Sequence, residues 1–122
     1  MAELTTLRIG PVTFNIKLVL KLNGINGEGT GMEWLNGRIL WQDSLIEIEQ
    51  GLNPEMRKVA LLHESLHGIL EQAGILEHPE PIIIALSYGV LQLLLGNPDL
   101  VRYLIEPSSE GAKMDILYRN LR

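Results

Sequence analysis

Hydrophobic periodicity changes once along this chain, at Asn53-Pro54. Before that point apolar residues tend to alternate with polar ones, the period of two that a half-buried strand imposes. Beyond it they recur every three or four residues, the period of a helix with one apolar face. Leu7–Ile9 and Val12–Leu22 carry β-branched residues in partial alternation, and Leu45-Ile46-Glu47-Ile48-Glu49 alternates strictly. Met32–Leu35 and Arg38–Trp41 flank Asn36-Gly37, a dipeptide favoured in two-residue hairpins, with Trp34 and Trp41 reading as packing residues. Between these runs, Asn23–Gly31 is rich in Asn and Gly and reads as a turn or loop. An α+β fold is expected, with a small, mainly antiparallel sheet from about Leu7 to Glu49 followed by two to three helices.

Asn53-Pro54-Glu55 is a helix start: an N-cap type, proline at the first helical position, an acid in the first turn. Val59, Leu62, Leu66, Ile69 and Leu70 then recur at helical spacing until Ala73-Gly74, where glycine is a natural stop. A second helix is expected from near Pro81 through Leu91–Leu95, punctuated by Gly96-Asn97-Pro98-Asp99. The charge-free stretch from Pro81 to Pro98 is too short and too polar for a membrane span of about 20 apolar residues. It reads instead as a buried helix. A third, short helix covers Asp99 to Ile105, and Ile116, Leu117 and Leu121 could dock the tail from Ser108 to Arg122. No repeat or linker divides the chain, so residues 1–122 read as a single domain.

Composition narrows the chemistry. Apolar residues make up 46% of the 122 and charged residues 20%, the balance of an ordinary globular chain that needs no metal merely to fold. The absence of cysteine removes disulfide scaffolds, thiolate-bound zinc, iron–sulfur clusters and thiol nucleophiles. A net charge of −5 argues against a broad nucleic-acid face, and Arg102, Arg119 and Arg122 form no basic stripe. Gly24–Gly31 lacks the Lys-Ser/Thr pair of a phosphate loop. The first residues lack the basic flank and apolar run of a signal peptide, so the expected compartment is the cytoplasm, with no membrane or nucleic-acid partner.

The informative segment is Leu61-Leu62-His63-Glu64-Ser65-Leu66-His67-Gly68, His-Glu-x-x-His on a stretch already helical by its flanks. Positions i and i+4 project from one face about 6 Å apart, so two imidazoles can converge on one ion. Neutral imidazole suits zinc, and the Glu between them borders the ion without ligating it. Glu64 is then placed to take a proton from water activated by the metal. Ser65 has no base beyond its neighbours and reads as inert. Tyr88, an aromatic with a polar tip in the second helix, reads first as core, although its hydroxyl could polarise a carbonyl.

Two histidines and a water leave tetrahedral zinc one protein ligand short. Glu71 is excluded, because residues at i, i+4 and i+8 spread over about 12 Å of helix axis. Pro81 through Pro98 contains no acid, so Glu77, His78 and Glu80 remain. Strictly antiparallel helices would leave Glu80 roughly 9 Å from the level of His67. The second helix must cross steeply, or the connection 74–79 must fold back over the site.

The run HESLHGILEQAG, behind a small sheet and ahead of an apolar helix and GNPDLVRYL, resembles the small zincin-like metallopeptidases related to the ImmA/IrrE group. Compact members of that kind are often encoded in phages and prophages. The resemblance spans about Gly31 to Leu104, and only its HExxH core is highly specific. It implies a minimal gluzincin-type zinc hydrolase: His63 and His67 as ligands, Glu64 as general base, and an acid at the start of the second helix, which selects Glu80. Leu70 and Ala73 stand where the longer HExxHxxGxxH pattern has Gly and a third His, so a metzincin-type site is not implied.

Two functions follow. One is a zinc-dependent peptidase that holds an extended peptide along a sheet edge such as Leu45–Glu49. The other is a regulatory or interaction protein that keeps the zinc fold without turnover.

Overall fold

The computed structural model describes residues 3–20 and 36–107, which hold four strands and three helices. The expectations for Asn23–Gly31, for Met32–Leu35 with Trp34, and for the tail from Ser108 lie outside those residues. The chain falls into two compact units, Met1–Leu91 and Gln92–Arg122.

In the first unit, β1 (Thr6–Ile9) and β2 (Val12–Val19) form a hairpin closed by the Ile9–Val12 pair. Gly10 supplies the turn with a φ of +57°. Strands β3 (Gly37–Leu40) and β4 (Leu45–Glu49) form a second antiparallel pair, turned at Ser44 with φ +48°. The two pairs join where β2 runs parallel to β4, with Asn15 opposite Leu45 and Val19 opposite Glu49, so the sheet is mixed, in the order β1-β2-β4-β3.

That order corrects one expectation. Leu45–Glu49 is not a sheet edge but an inner strand, paired on both sides, and among the described strands the edge near the first helix is β3. Ile46 and Ile48 are buried on one face of β4, while on the other Arg38 covers Glu47 through an ion pair of 2.5 Å. Gly37 already belongs to β3, and the hairpin expected about Asn36-Gly37 has its first arm outside the described residues.

The sheet's inner face, Ile9, Phe14, Ile46 and Ile48, packs with Ala60 of helix α1 (Pro54–Gln72), and Trp41 meets Phe14 edge-on at 5.2 Å. The Asn53 side chain caps α1 by accepting from the Met56 N–H at 2.8 Å, worth about 1 kcal/mol. Ala60, Glu64 and Gly68 form the buried i, i+4, i+8 stripe. A Cβ at Gly68 would lie 2.8 Å from Ile9 Cδ1 and 3.2 Å from Ile39 Cδ1, so the helix backbone sits almost against the sheet.

Helix α1 stops as its sequence directs. Gly74 takes φ +83°, its N–H reaches the Glu71 carbonyl, and the Ile75 N–H reaches that of Leu70. This pair of bonds is the Schellman stop, which satisfies orphan carbonyls and reverses the chain. Helix α2 (Glu80–Gly96) follows, then α3 (Pro98–Ile105) in the second unit. The reading of Pro81–Pro98 as a buried helix is not met: in α2 only Ile83 and Ser87 are buried, and Ile82, Ile84 and Leu86 are exposed. The sheet offers one apolar face, and α1 already packs against β1, β3 and β4. Among the described residues, no single helix is long and apolar enough to cross a membrane.

Candidate metal centre

His63 and His67 lie one turn apart on α1, next to the buried stripe rather than in it, so the sheet anchors their helix while both rings stay partly exposed. Their Nε2 atoms are 3.2 Å apart. Glu80, the first residue of α2, closes the set: one carboxylate oxygen lies 2.7 Å from His67 Nε2 and the other 3.0 Å from His63 Nε2. The geometry resolves the axial distance raised by the sequence. Once α1 has stopped at Gly74, the connection folds back over its last turns and sets His78 against His67 and Glu71.

These donors suit a divalent cation, and His63, His67 and Glu80 are the one such group among the described residues. Ligand atoms about 2.0–2.1 Å from a tetrahedral zinc stand roughly 3.3 Å from each other. The observed separations of 2.7, 3.0 and 3.2 Å are those of donors gathered around one point, slightly contracted. Two neutral imidazoles and one carboxylate are also a hard-to-borderline set that zinc accepts. Burial pushes the His67 pKa below its ordinary value, against the nearby Glu80 carboxylate, which raises it, and together with His63 and His78, which lower it.

Glu64 is buried on the sheet side of the same helix, with a carboxylate oxygen 4.0 Å from His63 Nε2. Gly37 of β3 leaves it room, because a Cβ there would come within 3.3 Å of Glu64 Cγ and 3.0 Å of the Glu47 carbonyl oxygen. A cleft of about 250 Å³ opens in front of these residues, lined also by Ser87 and Tyr88. Tyr88 is therefore a cleft residue and not core: it is 42% exposed, and its hydroxyl lies 3.8 Å from Met56 Sδ. Ser65 donates to the Leu61 carbonyl at 2.7 Å, which occupies its hydroxyl. A larger groove of about 600 Å³, lined by Ile16, Leu18, Ile48 and Leu61 beneath Arg57 and Lys58, contains none of the candidate ligands.

Of the three positions left open for a third ligand, Glu80 joins the two histidines, whereas His78 packs on the far nitrogen of His67. The contributions of Gly37, His78 and Glu71 do not emerge from motif reading. Glu71 at i+4 from His67 carried a signal, since the two share a helix face. His78 stood open only as a third ligand, because its contact with His67 depends on the path of the turn. No protein-family model matches the chain, and no curated protein or solved structure matches it.

Proposed function

We propose that this chain is a zinc-dependent metallopeptidase of the minimal zincin-like kind, active in the cytoplasm. The observation that carries the reading is the convergence of His63, His67 and Glu80 within bonding distance of one point, with the buried Glu64 carboxylate beside it. His63 and His67 through Nε2, and Glu80 through its carboxylate, would hold the ion. A zinc ion bound there supplies Lewis acidity to a water and to the scissile carbonyl. Glu64 would accept at its carboxylate a proton from an attacking water, whose oxygen bonds to the carbonyl carbon, and would return it to the amine nitrogen as the C–N bond breaks. Strand β3 lies beside α1 and at an edge of the described sheet, which supports the reading that an extended peptide pairs there through its main chain.

Purified chain should contain one zinc ion, and cleavage of a broad peptide library should vanish in Glu64→Gln with zinc retained. A wild-type chain that holds zinc and cleaves nothing would favour the regulatory or interaction reading. Ile82 and Leu86, exposed one turn apart on α2, support that second reading, since adjacent surface apolar residues mark contact surfaces.

A further inference from the structure

We infer that the groove between the sheet and the first half of α1 binds a single-chain acyl carboxylate, its chain over Ile16, Leu18 and Ile48 and its head group on Arg57. The groove holds about 600 Å³, against about 250 Å³ for the cleft beside His63. It contains none of the candidate metal ligands, so the inference stands apart from the metal reading. Helix α1 packs against β1, β3 and β4, which leaves this part of β2 open, with Leu18 37% exposed. Leu18 lies opposite Ile48 of β4, and Ile16 is two residues earlier on the same face. One wall is a stripe of α1, Pro54, Arg57, Lys58 and Leu61 at i, i+3, i+4 and i+7. The other is the segment 3–5, held to β2 where the Ile16 N–H donates to the Thr5 carbonyl at 2.8 Å.

The floor selects a chain without polar groups. Strands β2 and β4 spend their facing main-chain groups on each other, Asn15–Val19 against Leu45–Glu49, so the floor presents side chains rather than a pairing edge. An extended peptide laid over it would take its amides out of water without partners, which is costly. A run of methylenes leaves nothing unpaired. An apolar cavity of about 150 Å³ takes the six carbons of benzene, so about 600 Å³ has room for an acyl chain of about a dozen carbons.

The rim selects an anionic head. Two cations, Arg57 and Lys58, line the groove against one acid, Glu3, on a chain whose net charge is −5. Arg57 is held in place: its Nε donates to the Leu52 carbonyl at 3.1 Å and one terminal nitrogen donates to that of Gln50 at 2.8 Å. The other terminal nitrogen donates to the Glu3 carboxylate at 2.9 Å, so a carboxylate already marks where the head group would sit. The Glu3 side chain is 65% exposed, and an exposed ion pair is weak enough to exchange for another. Lys58 meets Glu55 at 3.3 Å, with both side chains more than half exposed, and can exchange in the same way.

The test is titration of the full-length chain, as purified, with dodecanoate below its micelle-forming concentration, followed by calorimetry and methyl NMR. Dodecanoate should bind one per chain and shift the methyls of Ile16, Leu18, Ile48 and Leu61, leaving those of Ile82 and Leu86 on α2 in place. Affinity should rise about fifteenfold from octanoate to decanoate, roughly fourfold for each methylene taken out of water. Dodecanol, the same chain without the charge, should bind about tenfold more weakly, the loss of a hydrogen bond to a charged partner. Glu3→Gln removes the competing carboxylate and should tighten dodecanoate about two- to fivefold without affecting dodecanol. Leu18→Gln puts an amide on the floor and should weaken both ligands about tenfold; should it fail to fold, Glu3→Gln at its exposed site still decides. Dodecanol bound as tightly as dodecanoate, or Glu3→Gln without effect on dodecanoate, overturns the inference. Binding that does not saturate, or shifts centred on Ile82 and Leu86, overturns it as well. Groove methyls that move when the chain alone is concentrated would mean that a second copy fills the groove, and would overturn it too.

Discussion

A carboxylate oxygen of Glu80 stands 2.7 Å from Nε2 of His67, across the turn that ends one helix and the connection that begins the next. Two helix faces and a loop meet at that contact, so the centre is as good as the path between them. Removing both imidazoles in the His63→Ala, His67→Ala double variant should bring zinc well below one ion per chain by elemental analysis. Glu80→Ala removes one ligand of three and should weaken zinc by more than the roughly 100-fold that outer-shell losses reach. Chelator competition reads this directly, and wild-type affinity in Glu80→Ala would show that another side chain completes the centre.

Glu64 is buried against β3 and near His63, yet it is not one of the converging donors. Glu64→Gln keeps the shape of the side chain and removes its capacity to accept a proton. Zinc content should stay at one per chain while kcat for peptide cleavage falls on the order of 10²- to 10⁴-fold, the range of a lost general base. Unchanged cleavage in Glu64→Gln would assign the proton transfer to another group.

The pH dependence of stability in the metal-free chain follows from His67. Burial lowers its pKa in the folded state, with His63 and His78 acting in the same direction and Glu80 against them. The unfolded chain, with an ordinary imidazole near 6.5, therefore binds this proton first as pH falls. Stability is fully present above about pH 6.5 and declines as pH drops from there toward the folded-state value. Denaturant midpoints taken across that window should fall less steeply in His67→Gln than in wild type. Equal slopes in the two would contradict the assignment.

The elements that depend on neighbouring residues were legible in the sequence. Asn53, Pro54 and Gly74 bound α1 because caps and stops act within one turn, and the i, i+4 spacing alone puts His63 next to His67. What escaped involves partners distant in the chain. The alternation in Leu45–Glu49 identifies a strand but says nothing of which strands flank it, so its inner position and the parallel pairing with β2 had no signal. The apolar run of α2 reports its composition and not how much sheet is left to cover it. Gly37 reads as a turn residue because Asn-Gly is a strong local pattern, whereas its use here is to let Glu64 pack closely.

The reversal at Gly74 offers the sharpest way to separate stability from site geometry. Gly74 holds a φ of +83°, a conformation that costs a residue with a Cβ about 1 kcal/mol or more. Apart from its chain neighbours, no atom of the described residues lies within 4 Å of where that Cβ would sit, so among them Gly74→Ala adds backbone strain and no steric clash. Asn53→Ala, at the opposite end of the same helix, loses the bond to the Met56 N–H and costs a similar amount, about 1 kcal/mol. The two variants should therefore show comparable drops in denaturant midpoint. They should differ in zinc. Asn53 lies about 15 Å along the helix axis from His63, and its loss should leave His63, His67 and Glu80 as they are, so affinity should hold at the wild-type value. Gly74 directs the connection that carries His78 and Glu80 back to His67, and opening the turn to relieve strain there should draw both side chains outward. Zinc affinity in Gly74→Ala should fall by about tenfold, the lower end of what displaced supporting groups cost. Equal affinities in the two variants, at matched loss of stability, would mean that the turn does not position the third ligand.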